Sequence, residues 1–412
     1  MRRLNFTNTQ IASIQTARDI NRGVVLNLIR RRQPISRADL ARVSGLQRST
    51  VSQIIEQLIR ERWVVDGPTG RLPRGRRPTF LQLNDRRAIV VIDLRPATTT
   101  IAVSDVNGRF LSQQAISTPS DAETAASKLS ENILEMIATH PHLLFEGIGI
   151  SVPGRFDDKQ QRVVFAPNLK WREFDLRAPL EKATGLKVEL ENAANACVLA
   201  EVWFGQAERT RDLVVVTVSE GVGVGIFSNG QLLRGLNGMA GEFGHVPIDL
   251  DGPQCGCGAR GCWEVYASNW AALRYYQESG GVDCPTFKGL LSLAKNGDAL
   301  ALAALDRMAK AIARGLRMIV AGLSPEEIVF VGDFTQLWDL VGPGIEADVA
   351  IATLAGKPPR VRPAEAQPSM ARLRGTVALV LQKHFGPTVE RKEVEGITRS
   401  EPIGRVLARG AV

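Results

Sequence analysis

Three thiols and an imidazole fall within 18 residues of this chain: His245, then Cys255, Cys257 and Cys262 in the run Cys255-Gly-Cys257-Gly-Ala-Arg-Gly-Cys262. That donor set is enough to close a tetrahedral site, and zinc is its natural occupant. Gly256, Gly258 and Gly261 let the backbone turn tightly enough for ligands so near in sequence to converge on one ion. Four protein ligands leave no open coordination position, so the metal is expected to be structural and to activate no water. The alternative is a glycine loop of reduced cysteines. Cys197 and Cys284 read as ordinary thiols, and His140, His142 and His384 have no neighbours that suggest ligation. Five cysteines, an odd number, in 412 residues do not form a disulfide framework.

A second chemical signal is charge. Residues 1–87 hold 18 Arg, no Lys and six acidic residues, a balance of +12, whereas residues 88–412 carry 33 basic and 37 acidic residues, a balance of −4. A basic module on a mildly acidic body suits a polyanionic partner, through release of its counterions. The all-Arg choice favours planar, bidentate contacts with phosphate and guanine edges over mere solubility. The partner expected is double-stranded DNA.

The elements that must present this charge follow from periodicity. Ile20, Val24 and Leu28, with Val25 and Ile29 alongside, predict an amphipathic helix, and Ser36 with Asp39 three residues on is a capping-box start for a second. Gly45 permits a tight turn, after which Val51, Ile54, Ile55, Leu58 and Ile59 stripe a third helix from about Gln47. With that stripe packed inward, Gln47, Arg48, Ser49, Ser52 and Gln53 face outward where a recognition helix meets base edges and phosphates. Trp63 to Val65 and Thr79 to Leu83 then predict a two-stranded wing around the basic loop Arg71-Leu-Pro-Arg74-Gly-Arg76-Arg77-Pro78. So slim and extended a loop can place Arg74, Arg76 and Arg77 in the minor groove, or on phosphates as a flexible linker.

Beyond the module, strand-like runs (Ala88 to Leu94, Thr99 to Asp105, Gly147 to Ser151, Leu213 to Val218) alternate with helical stretches near Asp121 to Ala138, Asp175 to Thr184, Asn192 to Gly205 and Ala299 to Leu323. The fold class is α/β: a winged helix-turn-helix over residues 1–83, a first lobe over 84–190 and a second over 191–412, with the metal loop, C-terminal helices and a polar tail. With 44% hydrophobic and 23% charged residues, the composition excludes a disordered, collagen-like or coiled-coil chain. No apolar run approaches a membrane span and the first residues lack the apolar core of a secretion signal, so the expected address is the cytoplasm, without membrane insertion.

Six segments of the body stand out together: Ser151-Val-Pro-Gly154, Pro167-Asn168-Leu-Lys-Trp171, Glu191-Asn192-Ala-Ala-Asn195, Gly221-Val-Gly-Val-Gly225, Gly241-Glu242-Phe-Gly244-His245 and the cysteine loop ending Cys262-Trp-Glu264. With them the body resembles the ROK proteins (repressors, open reading frames and kinases). Joined to a winged helix-turn-helix, the body is similar to the sugar-responsive repressor branch, whose members regulate xylose, glucose and N-acetylglucosamine metabolism. The resemblance implies a two-lobed, actin-like (ribonuclease H-like) sugar-kinase fold, with Gly154, Asn168, Asn192, Glu242, His245 and Glu264 lining a sugar cleft. His245 would then serve twice, one ring nitrogen on the metal and the other toward a sugar hydroxyl.

Three departures from the kinase pattern point away from phosphotransfer. Where the family's kinases open the body with an Asp and a glycine-rich phosphate turn, this chain has Asp93-Leu-Arg95-Pro96-Ala-Thr98. Their second phosphate loop, Gly-Thr-Gly, is replaced by Ser219-Glu220-Gly221, which sets a carboxylate where a phosphate would sit. Ala193 stands where they place the catalytic Asp, a base worth about 10²- to 10⁴-fold in rate. The expectation is a non-enzymatic, zinc-containing transcription regulator, a repressor by the family's habit, working as a homodimer or tetramer on an inverted-repeat operator with a sugar as effector. Its rivals are a sugar kinase that also binds DNA and a DNA-binding scaffold controlled by a protein partner.

Overall fold

The computed structural model describes residues 14–69, 79–157, 162–166, 169–207, 210–365 and 368–385. Arg74, Arg76, Arg77 and Asn168 of the expected site lie outside the described residues.

The N-terminal head contains α1 (Ile14–Arg32), β1 (Ile35–Ser36), α2 (Arg37–Ser44), α3 (Arg48–Arg60), β2 (Val64–Thr69) and β3 (Thr79–Leu83), with β3 paired to both other strands. Ser36 is the N-cap of α2: its Oγ accepts from the Asp39 N–H at 3.1 Å and donates to Asp39 Oδ2 at 2.7 Å, and Gly45 closes α2 at φ 72°. One expectation is corrected. The buried face of α1 is Val25, Leu26 and Ile29, while Ile20 and Val24 remain 44% and 41% exposed. The stripe is rotated because Arg22 turns the same way as Val25 and Leu26, its guanidinium pairing with Glu61 while donating to the carbonyl of His384.

Two five-stranded sheets follow, and they share one strand order. The first contains β4 (Arg87–Asp93), β5 (Thr98–Asp105), β6 (Phe110–Ser117), β7 (Leu144–Val152) and β11 (Val188–Asn192), ordered β6-β5-β4-β7-β11. Between them lie α4 (Ala122–Ala138), α5 (Arg177–Thr184) and a small sheet of β8 (Arg155–Asp157), β9 (Arg162–Ala166) and β10 (Trp171–Phe174). After α6 (Ala193–Phe204) the second sheet repeats the order with β12 (Leu213–Val218), β13 (Val222–Ser228), β14 (Gln231–Leu232), β15 (Glu327–Val331) and β16 (Arg360–Pro363), as β14-β13-β12-β15-β16. In both sheets the first three strands are antiparallel and the last two run parallel to the first. The central strands β4 and β12 are nearly continuous apolar runs because both of their faces are covered. Helices α7 (Glu264–Ala267), α8 (Asn269–Glu278), α9 (Phe287–Lys295), α10 (Ala299–Leu323) and α11 (Trp338–Ala352) complete the second lobe, and α12 (Pro368–Phe385) ends the described chain.

The lobes exchange helices. Helix α6 follows the last strand of the first sheet but packs on β12 and β13 of the second, whereas α12 follows the last strand of the second sheet and packs on β4 and β7 of the first. The segment that sequence assigns to the second lobe therefore returns to the first at α12. α6 and α12 also pack against each other, crossing where a Cβ at Gly375 would lie 1.7 Å from the Ala196 carbonyl oxygen. This crossing buries α6 on all sides, including Asn195, Ala196, Leu199 and Ala200, so its sequence shows no clean stripe.

The head sits on the first lobe through one shared apolar cluster, in which Val25, Ile55, Trp63 and Leu81 join Ile89, Val91, Val377, Val380, Leu381 and Phe385. Trp63 stacks obliquely on His384 at 4.7 Å and meets Phe385 edge-on at 5.8 Å, and the Arg87 guanidinium lies 4.0 Å above its ring. Asn27 Nδ2 donates to the Phe385 carbonyl at 3.1 Å. Arg30 reaches the C-terminal end of α6, donating to the Trp203 carbonyl at 2.6 Å with its guanidinium 4.5 Å from that indole. Burial pushes the His384 ring down to about 4, helped by Arg87, Arg22 and Lys383.

Candidate functional site

The carboxyl ends of β4, β7 and β11 of the first sheet and of β12 of the second meet at one cavity of about 220 Å³, at the usual place for ligands in open α/β sheets. Gly154, Asn192, Glu242, His245 and Glu264 all line it, so the structure brings together every expected residue of the cleft that it describes. Gly154 adopts φ 96°, and its carbonyl accepts from Asn192 Nδ2 at 2.9 Å. Asn192 Oδ1 caps α6 through the Ala194 N–H at 2.8 Å, so its amide is oriented by the fold before any ligand arrives. Glu264 opens α7 and accepts from the Val222 N–H at 3.0 Å; Gly221 makes room, since a Cβ there would lie 2.4 Å from Glu264 Oε2. Behind it the fully buried Trp263 donates to the Ala311 carbonyl at 2.9 Å and lies against Gly315 of α10.

The metal loop forms the adjoining wall. The ligand atoms of His245, Cys255, Cys257 and Cys262 lie within 4.8 Å of one another. Cys255 Sγ is 3.7 Å from His245 Nδ1, and the sulfurs of Cys257 and Cys262 are 3.6 Å apart. Such separations suit donors about 2.0–2.3 Å from a shared tetrahedral ion. The four residues can therefore hold a metal. Nε2 of His245 turns the other way, 3.8 Å from Glu242 Oε2. Gly261 serves the loop sterically, because a Cβ there would lie 1.4 Å from the Asp249 carbonyl oxygen.

On the head, Gln47, Arg48, Ser49 and Gln53 are exposed and Ser52 half-buried, while Val51, Ile54, Ile55 and Leu58 fill the opposite face of α3. The helix therefore presents a polar N-terminal edge on a basic module, the arrangement of a recognition helix.

The ROK family pattern matches residues 89–383, and a winged helix-turn-helix DNA-binding pattern matches residues 18–65. The chain belongs to the ROK family. It is 32% identical over 344 residues to the xylose repressor of Bacillus spizizenii, a match covering 82% of this chain and 89% of that protein. A crystal structure of a ROK family transcriptional regulator, a homologue of the Escherichia coli MLC protein, superposes with a TM-score of 0.76 at 26% identity, covering 90% of this chain and 99% of the other. A ROK family glucokinase from Streptomyces griseus, solved with glucose and AMPPNP, gives a TM-score of 0.64 at 30% identity over 72% of this chain and 99% of its own.

In this ROK-family chain the other end of the cavity holds Arg95, which the sequence shows as a departure, and Arg372, which it does not single out. Arg372 of α12, its side chain only 11% exposed, points Nη1 at Asp93 Oδ1, 3.7 Å away, and Arg95 Nε donates to Asp93 Oδ2 at 2.6 Å. Burial opposes the Arg372 charge, but Asp93 and Cys197 outweigh it and hold the guanidinium above its ordinary value. Arg95 was visible in the sequence as a departure from a glycine-rich turn, whereas Arg372 had no motif and lay in a helix not individually assigned. Glu191, two residues before Ala193, is fully buried, and burial pushes its pKa up against the opposing Arg234 charge.

Proposed function

We propose that this chain is a DNA-binding transcription regulator whose interlobe cleft binds a monosaccharide, with zinc as a structural ion in the cysteine loop and no phosphotransfer activity. The observation that carries the reading is the juxtaposition in one cavity of sugar-type donors and acceptors (Asn192, Glu242, His245, Glu264) with Arg95 and Ala193 in place of a phosphate turn and a catalytic base. Carboxylates and amides suit vicinal hydroxyls, and a buried polar wall rejects analogues that leave its groups unpaired. The cavity is small beside the roughly 300–1,000 Å³ of drug-sized ligand sites, in keeping with a single sugar ring. Glu191 is a poor substitute base because Arg234, Asn195 and the Asn192 N–H already occupy its oxygens, which disfavours the kinase rival.

Helix α6 offers the coupling route. Its Asn192 cap lies in the cleft and its Trp203 end touches Arg30 of the head, so closure of the lobes on a sugar would displace the recognition helix. A C2 homodimer would place paired heads on an inverted repeat with half-sites a whole number of helical turns apart. For the sugar to release DNA it must bind the DNA-incompetent state more tightly; a shift from 1:99 to 99:1 takes about 5.5 kcal/mol.

Fluorescence anisotropy on DNA from upstream of the gene, at fixed salt, with and without pentoses, hexoses and N-acetyl sugars, tests the reading. Sequence-selective binding that one sugar changes supports it, and indifference to all sugars overturns the sensor function. Glu242→Ala should abolish the sugar response and leave operator affinity intact. For the metal, mass spectrometry should find one zinc per chain, and its chelation should remove the sugar response by freeing the wall that carries His245.

A further inference from the structure

Arg234 serves different lobes with its side chain and its backbone. It follows β14 in the second lobe, yet its Nε and Nη2 donate at 3.0 and 2.7 Å to Oε2 of Glu191, at the end of β11 in the first. Glu191 is fully buried, and its other oxygen, Oε1, accepts from the Asn192 N–H and from Asn195 Nδ2, both at 3.0 Å. A carboxylate gripped on both oxygens cannot rotate, and it fixes the start of α6 where Asn192 meets the cleft. The backbone of Arg234 does the matching work for the opposite wall. Its carbonyl accepts from the Ala240 N–H at 2.9 Å and pinches residues 235–240 into a closed loop. Gly241 follows at φ 93°, pressed so close to β13 that a Cβ would lie 2.0 Å from the Val224 carbonyl oxygen, and the next residue is Glu242.

We propose that Arg234 is a positioning residue for the cleft ligand: its pairing with Glu191 across the lobes sets the separation of Asn192 and Glu242, and so the fit of a monosaccharide between them. The proposal rests on the sugar reading of the cleft. Because one residue indexes both walls, its loss changes how well the cleft recognises a ring of hydroxyls without touching the ring itself. Replacing Arg234 alone strands the buried Glu191 carboxylate, whereas neutralising both partners does not.

The test is calorimetric titration of the full chain with D-xylose, D-glucose and N-acetyl-D-glucosamine, beside its affinity for operator DNA without sugar. For a sugar that the wild type binds, R234A should raise Kd roughly tenfold or more, R234K should lose less, and R234A/E191Q should regain part of the loss. Sugar-free operator affinity should fall far less than sugar affinity in all three variants, since Glu191 holds the cleft end of α6 and the head meets its Trp203 end. Wild-type sugar affinity in R234A, or sugar and operator binding falling in parallel, overturns the positioning role. A wild-type chain that binds none of the three sugars overturns the sugar reading itself, and the role of Arg234 with it.

Discussion

The cleft and the seam beneath the head are held by different physics. The cleft is walled by ion pairs and oriented amides, with Asp93 between two arginines and Glu191 beneath Arg234. The seam is walled by rings and aliphatic side chains, with Trp63, Phe385, Val377 and Leu381 in one cluster. A polar wall can trade water for a hydroxylated guest at small net cost, since each lost hydrogen bond is replaced by another. The apolar part of the seam has nothing to trade and loses burial when it opens, while the few hydrogen bonds from Arg22, Asn27 and Arg30 around it can exchange with water. The same two helices reach both: α6 has Asn192 as its N-cap in the cleft and Trp203 in its last turn at the seam, and α12 carries Arg372 near its start and His384 and Phe385 at its end. Exchange at one end and cohesion at the other are what a signal-carrying element needs.

The crossing of those helices gives the largest expected effect. Gly375→Val sets a side chain against the Ala196 backbone, and we expect a loss of about 4–5 kcal/mol in urea unfolding, with sugar response and operator binding failing together. Trp63→Ala should separate the two regions. It removes a side chain only 4% exposed, for a loss of about 3 kcal/mol, and should weaken operator binding while direct sugar affinity stays at the wild-type value. Equal damage to both functions would show that the regions are not distinct. The smallest effect is protonic. Because the His384 pKa falls from 6.5 to about 4 on folding, the unfolded chain binds more protons between those values; its stabilising contribution is complete above pH 6.5 and declines as pH drops toward 4. The urea midpoint should therefore fall from pH 7 to pH 5, and His384→Gln should flatten that dependence.

How much of this was legible in the sequence depended on how local the cause was. The Ser36 N-cap, the Leu213–Val218 strand, the Ala299–Leu323 helix and the cysteine loop were readable because neighbouring residues determine them. The buried face of α1 was read only in part, with Val25 and Ile29 included but Leu26 missed and Ile20 and Val24 wrongly added, because its packing is set by β3 and α12, far away in sequence. Arg372 and Arg234 were missed for a related reason: each gains its role from a partner far away in sequence, Asp93 and Glu191, which no spacing along the chain reveals. The resemblance supplied the cleft residues themselves, but not the ion pairs that orient them.

The seating of the head on α12 also bears on biosynthesis. Arg22 and Asn27 find their carbonyl partners 362 and 358 residues further along the chain. At about 5–20 residues per second, a nascent head leaves the ribosome roughly 20 to 70 s before its seat exists. Until then the apolar underside that Val377, Val380, Leu381 and Phe385 later cover is bare to chaperones and proteases.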